Sequence, residues 1–122
     1  MIENNFELEA VQYALHKISG KWKIPILMSL HFKGVLRFGE LQKSVKGIGS
    51  KMLSKELKEL EKNGLIIRKV ASTSPIRITY KLSIYGKTLN EVFKTLSKWG
   101  SMHKIESKKD IHSLNHNHII DI

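Results

Sequence analysis

The residues most suited to chemistry lie in the stretch 47–65, GIGSKMLSKELKELEKNGL. Its leading part carries hydroxyl and cationic side chains within about one and a half helical turns: Ser50, Lys51, Ser54 and Lys55. Lysine ammonium groups pair with phosphates, and lysine and serine side chains also reach base edges. The pattern therefore indicates a nucleic-acid-binding surface. A solvated lysine face is the alternative, because charged residues opposite an apolar stripe are usual on surface helices.

The same stretch predicts a helix with both ends marked. Ser50 is a suitable N-cap after the flexible turn 47–49, and Gly64 suits the left-handed residue that commonly closes a helix. The spacing of three leucines predicts a buried stripe, and these are Leu53, Leu57 and Leu60. One side of the helix should therefore pack on a core while another side remains free.

Other reactive side chains are explained without catalysis or a metal. The carboxylates Glu56, Glu59 and Glu61 can pair with neighbouring lysines on the helix surface. Three histidines near the end of the chain are spaced by four and then two residues, and no acidic residue or cysteine completes a ligand set. We therefore expect no enzyme activity, metal site or cofactor. The histidines in question are His112, His116 and His118.

Positive charge is concentrated in the middle of the chain. The 122 residues carry a formal net charge of +10, and residues 10–103 contain 18 Lys or Arg against 5 Asp or Glu. Such a field attracts a polyanion, which could be nucleic acid or an anionic membrane surface. No lysine-rich amphipathic helix with aromatic anchors points to the membrane, so double-stranded DNA is the expected partner.

Composition excludes several other classes of protein. No apolar run is long enough to span a bilayer, and residues 1–10 are acidic where a secretory signal would be basic and then apolar. A cytoplasmic protein is therefore expected. The absence of cysteine excludes disulfides, thiolate nucleophiles and direct thiol redox sensing.

Helical periodicity also precedes the stretch 47–65. Apolar spacing predicts helices at residues 7–19 and 21–32, a very short strand within 35–38, and a third helix at 40–46. The third helix, a glycine-bearing turn and the capped helix follow one another in the order of a helix-turn-helix. The expected inward residues of the second helix are Trp22, Ile26, Leu27 and Leu30.

A β-hairpin is predicted directly after the capped helix. Residues 65–70 are apolar and rich in β-branched types, residues 72–75 are turn-forming, and residues 76–82 alternate between apolar and polar side chains. A hairpin in this position is the wing of a winged helix. Arg77, beside Pro75 at the tip, is the candidate for contact with phosphates or the minor groove, and an ordinary solvated strand residue is the alternative.

The last predicted helix, residues 84–103 capped by Ser83, has an apolar seam of heptad type that begins at Tyr85. We expect a homodimer formed by the first and last helices, because both offer apolar stripes beyond the needs of a small core. One domain should cover residues 1–106, with a flexible tail at 107–122. The expected dimer-interface residues are Leu8, Val11, Leu15, Leu89, Val92, Leu96 and Trp99.

Several motifs together resemble the HxlR family of bacterial MarR-like winged-helix transcriptional regulators. They are GKW at residues 20–22, the RFxEL pattern at 37–41, GIxxKMLxxxLKELExxGL at 47–65, the wing, and the tryptophan at position 99. The resemblance covers residues 15–103, most of the chain. It implies a mainly α fold with a small β-hairpin, the winged helix-turn-helix.

The resemblance also implies a function. A member of this family would be a dimeric repressor or activator that binds a two-fold symmetric operator, and there is room for a small-molecule effector of unknown identity. Many members sense oxidants through a cysteine before the first helix, but residues 4–6 here are Asn-Asn-Phe, so no thiol switch is expected. The DNA-facing candidates carried over are Arg37, Ser50, Lys51, Met52, Ser54, Lys55 and Arg77.

Two alternatives to these assignments remain. Met52 could be oxidised and sense oxidants, although a methionine beside a core stripe is more often a packing residue. The whole protein could instead be a protein-interaction module in which the lysines serve only solubility.

Overall fold

The structure, a computed structural model, describes residues 7–109. Within that range the chain forms two compact units, one ending at Lys87 and the other beginning at Thr88. The elements are α1 (Leu8–Ile18), α2 (Lys23–Lys33), β1 (Leu36–Arg37), α3 (Phe38–Ser44), α4 (Ser50–Lys62), β2 (Ile66–Thr73), β3 (Ile76–Leu82), α5 (Ile84–Lys87) and α6 (Leu89–Lys109). The strands form an antiparallel sheet in the order β1-β3-β2. The predicted mainly helical fold with a small wing is confirmed.

The core of the first unit is formed by the apolar stripes that the sequence predicts. Residues Ile26, Leu27 and Leu30 of α2 are almost fully buried, while Trp22 precedes the helix and is only half-buried. The predicted stripe of α4 is also buried, and Leu41 of α3 is fully buried. Burying such side chains contributes about 1.5–3 kcal/mol each, so these stripes fix how α3 and α4 sit on α2.

The N-terminus of α4 differs from the prediction by one residue. Gly49, in an extended conformation with φ −83° and ψ 163°, is the N-cap, and its carbonyl accepts the backbone N–H of Leu53 at 2.9 Å. Ser50 is therefore the first helical residue and forms no capping hydrogen bond. The prediction of Ser50 as N-cap was wrong, because the chain enters the helix one residue earlier. The other end agrees with the prediction, since Gly64 has φ +76°.

The wing is a two-stranded hairpin that extends further than the predicted strands. Strands β2 and β3 pair from Ile66 opposite Leu82 to Thr73 opposite Ile76, with an irregularity between Val70 and Ser72. Tyr80 is buried and Ile76, near the tip, is exposed. The predicted alternation therefore holds as a register, but only its part nearest the core is covered.

The predicted last helix is interrupted. Its first turn is the separate helix α5, and α6 begins at Leu89, so Tyr85 does not belong to a continuous seam. Position 86 explains why α5 is fixed where it is, because a Cβ on Gly86 would lie 2.1 Å from the Leu65 carbonyl oxygen. The Ser83 hydroxyl, as predicted, caps this turn by accepting the Gly86 N–H at 2.8 Å, and it also donates to the Gly64 carbonyl at 2.6 Å.

Helix α6 contains no buried side chain among its described residues. Of the predicted interface residues, Val92, Leu96 and Trp99 are exposed and Leu89 is half-buried. In the first unit, the predicted interface residues of α1 are exposed as well. No helix among the described residues is both long and apolar enough to cross a membrane. The predicted histidine-containing tail lies beyond Lys109, outside the described residues; its histidines are His112, His116 and His118.

Candidate nucleic-acid interface

The helix-turn-helix consists of α3, residues 45–49 and α4. The N-terminus of α3 is closed by the Glu40 carboxylate, which accepts the Arg37 backbone N–H at 2.8 Å. In the turn, Ile48 is buried and its carbonyl accepts the Gln42 side-chain amide at 3.2 Å, while Gly47 adopts φ +86°. These contacts fix the direction in which α4 leaves the turn.

Helix α4 presents cations opposite its buried leucines. Ser50, Lys51 and Lys55 are exposed, Ser54 is half-buried, and the side chain of Met52 is 38% exposed. At 3.6 residues per turn, Met52 and Ser54 lie at opposite margins of the lysine-bearing face. The five predicted contact residues on α4 are thus close in the helix, but they do not form one narrow line.

One side of α4 is fastened to α2, and we call Glu56 and Glu59 the clamped flank. The Lys23 ammonium donates to Glu56 Oε1 at 2.6 Å and to Glu59 Oε1 at 2.7 Å. The Lys23 and Glu56 side chains are only 12% and 10% exposed. Lys55 lies 3.8 Å from the other Glu59 oxygen, a longer and more exposed contact. The predicted pairing of helix lysines with these carboxylates is therefore secondary to a bridge from another helix.

The bridge changes the proton affinity of its members. Burial acts to lower the pKa of Lys23, but hydrogen bonds and charge attraction from Glu56 and Glu59 outweigh it, so the pKa lies above the ordinary 10.5. The hydrogen bond from Lys23, followed by charge attraction, holds the pKa of Glu59 below its ordinary 4.5. Both shifts favour the charged forms, so the bridge is fully ionised near neutral pH.

The opposite side of α4 has no such fastening, and we call Ser54, Lys58 and Glu61 the open flank. At 3.6 residues per turn these three residues lie roughly opposite the clamped flank. None of them forms a side-chain hydrogen bond or an ion pair with another residue in the part of the chain that the structure describes. Charge on this flank is therefore free to meet a ligand.

The other two predicted DNA contacts lie on the sheet. Arg37 pairs with Thr79, which pairs with Lys69, so these residues share one face across the three strands. Arg77 and Lys81 stand two residues from Thr79 along β3 and project to the same face. All four cations of this face are exposed: Arg37, Lys69, Arg77 and Lys81.

Sequence reasoning missed Lys69 and Lys81 as companions of Arg37. The alternation of β3 already placed Lys81 on the face of Arg77, and that signal could have been followed. Lys69 needed the register of the hairpin, which depends on where the turn falls. The structure therefore divides the seven predicted contacts into a group on α4 and a pair on the outer face of the sheet. Among residues 7–109, no cluster of His, Asp or Glu could hold a metal ion.

A helix-turn-helix followed by a basic wing defines a winged helix DNA-binding protein. The comparison with known families is consistent with that class, because the model of the HxlR-like helix-turn-helix family matches residues 17–108. The chain belongs to this family. Its members found here are transcriptional regulators, and the protein is accordingly a transcriptional regulator with a helix-turn-helix DNA-binding domain.

Related proteins agree in sequence and in structure. The HTH-type transcriptional regulator YdzF of Bacillus subtilis is 42% identical over 89 residues, which cover 73% of this chain and 82% of YdzF. A MarR-family transcriptional regulator from Enterococcus faecalis superposes with a TM-score of 0.78 at 30% identity, covering 88% of this chain and 97% of that one.

A third relative is known in several chemical states. The reduced form of the transcriptional regulator YodB from B. subtilis matches with a TM-score of 0.71 at 30% identity, over 77% of this chain and 91% of YodB. YodB has also been solved after diamide treatment and with quinone bound. The present chain has no cysteine, so the shared fold is combined here with a different side-chain chemistry.

Proposed function

We propose that the protein binds a two-fold symmetric DNA operator as a homodimer, with the first turns of α4 in the major groove. The exposure of Ser50, Lys51 and Lys55 at the N-terminal end of a helix held by its opposite side carries this proposal. Helix-turn-helix proteins direct this end of the second helix to base edges. The wing would place Arg77 at the backbone or minor groove, with Lys69 and Lys81 adding positive charge.

Each contact has a distinct role in this proposal. Phosphate contacts by lysine and arginine supply affinity that does not depend on sequence, whereas base-edge contacts supply specificity. Lys51 and Lys55 are suited to both, and the hydroxyls of Ser50 and Ser54 to base edges. Because Ser50 is not occupied in capping, its hydroxyl is available for such a contact. Met52 and Arg37 are assigned to the margins of the interface.

The exposed apolar side chains support the homodimer. In α6 the exposed fractions are 44% for Val92, 47% for Leu96 and 64% for Trp99. Helix α1 adds Leu8, Val11 and Leu15, which are 67%, 47% and 54% exposed. A contiguous apolar surface of this kind commonly marks an interface. A second copy covering it would present two α4 helices to half-sites about one DNA turn, ~34 Å, apart.

The proposed signal does not pass through a thiol. The chain contains no cysteine, so neither a disulfide nor a sulfenic acid can form on it. Repression and activation use the same DNA contacts and differ in where the operator lies relative to the promoter.

Titration of promoter fragments with the purified full chain tests specific binding. Log affinity should fall with log salt concentration with a slope of about −0.9 per phosphate neutralised, and one fragment should be preferred over shuffled DNA at about 150 mM salt. Equal affinity for both fragments would contradict sequence-specific recognition.

Charge reversal at the two ends of α4 tests the orientation of the helix. Lys51→Glu should weaken operator binding by about 10–100-fold, because it places a carboxylate beside phosphates. Lys62→Glu makes the same charge change in the last turn and should alter binding by less than about threefold at physiological salt, where screening acts over ~8 Å. Equal losses would contradict the proposed docking. If Lys51→Glu abolishes DNA binding but not function in cells, the protein acts through protein partners instead.

Sedimentation of the full chain at micromolar concentration tests the dimer. We expect a dimer for the parent protein and a monomer for Leu96→Asp, because a buried unpaired carboxylate is costly. Lys94→Asp, on the same helix but outside the apolar seam, should remain dimeric. A monomeric parent protein would contradict the proposed assembly.

A further inference from the structure

A cavity of about 370 Å³ lies beside the open flank of α4. The residues of the open flank form one wall, and Arg68 and Tyr80 of the sheet form the other. The register places Arg68 opposite Tyr80, so both project from the inner face of the sheet, away from Lys69. The volume falls within the range of about 300–1,000 Å³ that small-molecule sites occupy.

The cavity has apolar surface suited to a flat ring. Phe38 and Leu57 line it together with Tyr80, so two aromatic rings and a leucine contribute to one site. Leu57 and Tyr80 are only 2% and 8% exposed, which means that these walls belong to the packed core and are held in place. Aromatic side chains pack favourably against planar rings in stacked or edge-to-face arrangements.

The charges around the cavity are unbalanced. Lys58 and Arg68 contribute two cations, and Glu61 contributes one carboxylate. Within the described part of the chain none of the three forms an ion pair, and the Tyr80 hydroxyl forms no hydrogen bond. Several unoccupied donors and one net positive charge therefore adjoin the same apolar surface. A planar ligand that carries a single negative charge satisfies both properties.

We propose that this cavity binds a small aromatic monoanion of the arene carboxylate class, and that the bound anion weakens operator binding. The second part rests on the proposed DNA-binding function. Ser54 is shared, because it lines the cavity and also belongs to the proposed base-contacting set. A bound anion occupies that side chain and neutralises the charge of Lys58 and Arg68 beside the DNA surface, which lowers the affinity for a polyanion.

The binding test uses two probes of nearly equal shape, 2-naphthoate and its neutral amide 2-naphthamide. Their fluorescence is titrated with the full-length protein in the absence of DNA. We expect 2-naphthoate to bind with Kd below about 1 mM and the amide to bind at least about tenfold more weakly, which corresponds to the loss of one charge-assisted contact. Equal binding of the two probes, or no binding of 2-naphthoate, would overturn the proposed site.

Neighbouring cations on β2 provide the matched variants. Arg68→Gln should weaken 2-naphthoate binding at least about tenfold, whereas Lys69→Gln, on the opposite face of the sheet, should leave it unchanged within about twofold. Thermal melting of both variants verifies that each is folded. If both substitutions have the same effect on binding, the probe responds to net charge alone and the cavity is not its site.

The regulatory part is tested by titrating operator DNA with and without saturating 2-naphthoate. We expect operator affinity to fall by at least about fivefold, and by linkage DNA should weaken 2-naphthoate binding by the same factor. Lys69→Gln should retain this coupling and Arg68→Gln should lose it. Unchanged operator affinity with 2-naphthoate bound would overturn the regulatory role. Charge-selective naphthoate binding by a protein that recognises no operator would leave the site in place and contradict the proposed DNA-binding function.

Discussion

The two flanks of α4 differ in how their charges are satisfied. On the clamped flank, Glu56 and Glu59 share the ammonium group of Lys23 at 2.6 and 2.7 Å. On the open flank, Lys58 and Glu61 face a cavity and, within the described residues, pair with nothing. The first flank therefore stabilises the position of the helix, whereas the second keeps its charge available for a ligand.

This difference shows how one helix can be both rigid and responsive. A helix that reads DNA must keep its side chains in register, and a bridge to α2 provides that constraint at the side facing the core. A ligand on the other side can then change the charge and accessibility of the recognition surface without displacing the helix. The predictions below test that division of roles, beginning with the largest expected effect.

Removal of the shared cation should have the largest effect on stability. Lys23→Met leaves two carboxylates without their partner and should lower the free energy of unfolding by about 1–2 kcal/mol, the lower part of the range for charged hydrogen bonds because Glu59 is partly solvated. Lys58→Met removes the same type of cation from the open flank and should change stability by less than about 0.5 kcal/mol. Urea denaturation of both variants measures the contrast, and equal losses would remove the distinction between the flanks.

The two carboxylates of the bridge should not contribute equally. Glu56 is only 10% exposed whereas Glu59 is 43% exposed, so solvent replaces the lost interaction more easily at Glu59. Glu56→Gln should therefore lower the melting temperature more than Glu59→Gln does, by a few degrees for a domain of this size. Differential scanning calorimetry at neutral pH compares them. A larger effect at Glu59 would mean that exposure does not rank these contacts.

The clamped flank should also determine how stability depends on pH. The lowered pKa of Glu59 means that its contribution is complete above the unfolded value of 4.5 and is lost as pH falls below 4.5 through the folded pKa. The raised pKa of Lys23 means that its contribution is complete below 10.5 and is lost as pH rises beyond that value through the folded pKa. Urea denaturation across pH measures both limbs. In Lys23→Met both limbs should flatten, and an unchanged acid limb would assign the loss to other carboxylates.

The smallest effect is expected at the one carboxylate of the open flank. Glu61→Gln removes the negative charge nearest a bound arene carboxylate and should increase 2-naphthoate affinity by about two- to fivefold, as befits an exposed charge. The same substitution should leave the melting temperature nearly unchanged. Fluorescence titration gives the affinity, and a decrease would show that Glu61 donates to the ligand or orders the site.

Much of this architecture could be predicted because it depends on local patterns. The leucine spacing of α4 and the β-branched residues of the wing identify elements that the structure contains. Errors arose where two local signals were equivalent, as at Gly49 and Ser50, since both residue types are accepted N-caps. The break before α6 was also missed, because the close approach of Gly86 to the Leu65 carbonyl is a tertiary contact that no periodicity records.

The candidate site was predictable only in part for the same reason. The sequence placed lysines and serines at the start of α4, which needed only helical spacing. The bridge from Lys23 joins residues 33 and 36 positions apart, and the cavity joins Phe38, Lys58 and Arg68 from three elements. Such associations depend on packing and strand register, and neither follows from spacing along the chain.

The base of the hairpin bears on how far the wing can vary in length. Ser83 is bonded through its hydroxyl to Gly64 and through its N–H to the Leu65 carbonyl at 3.0 Å, so the two ends of the hairpin are held together independently of the tip. Residues added in equal, even numbers beside Ser74 and Pro75 would preserve which face each side chain occupies. A longer wing could then reach further along a DNA backbone while the helices beneath it stay as they are, so reach and core packing can evolve separately.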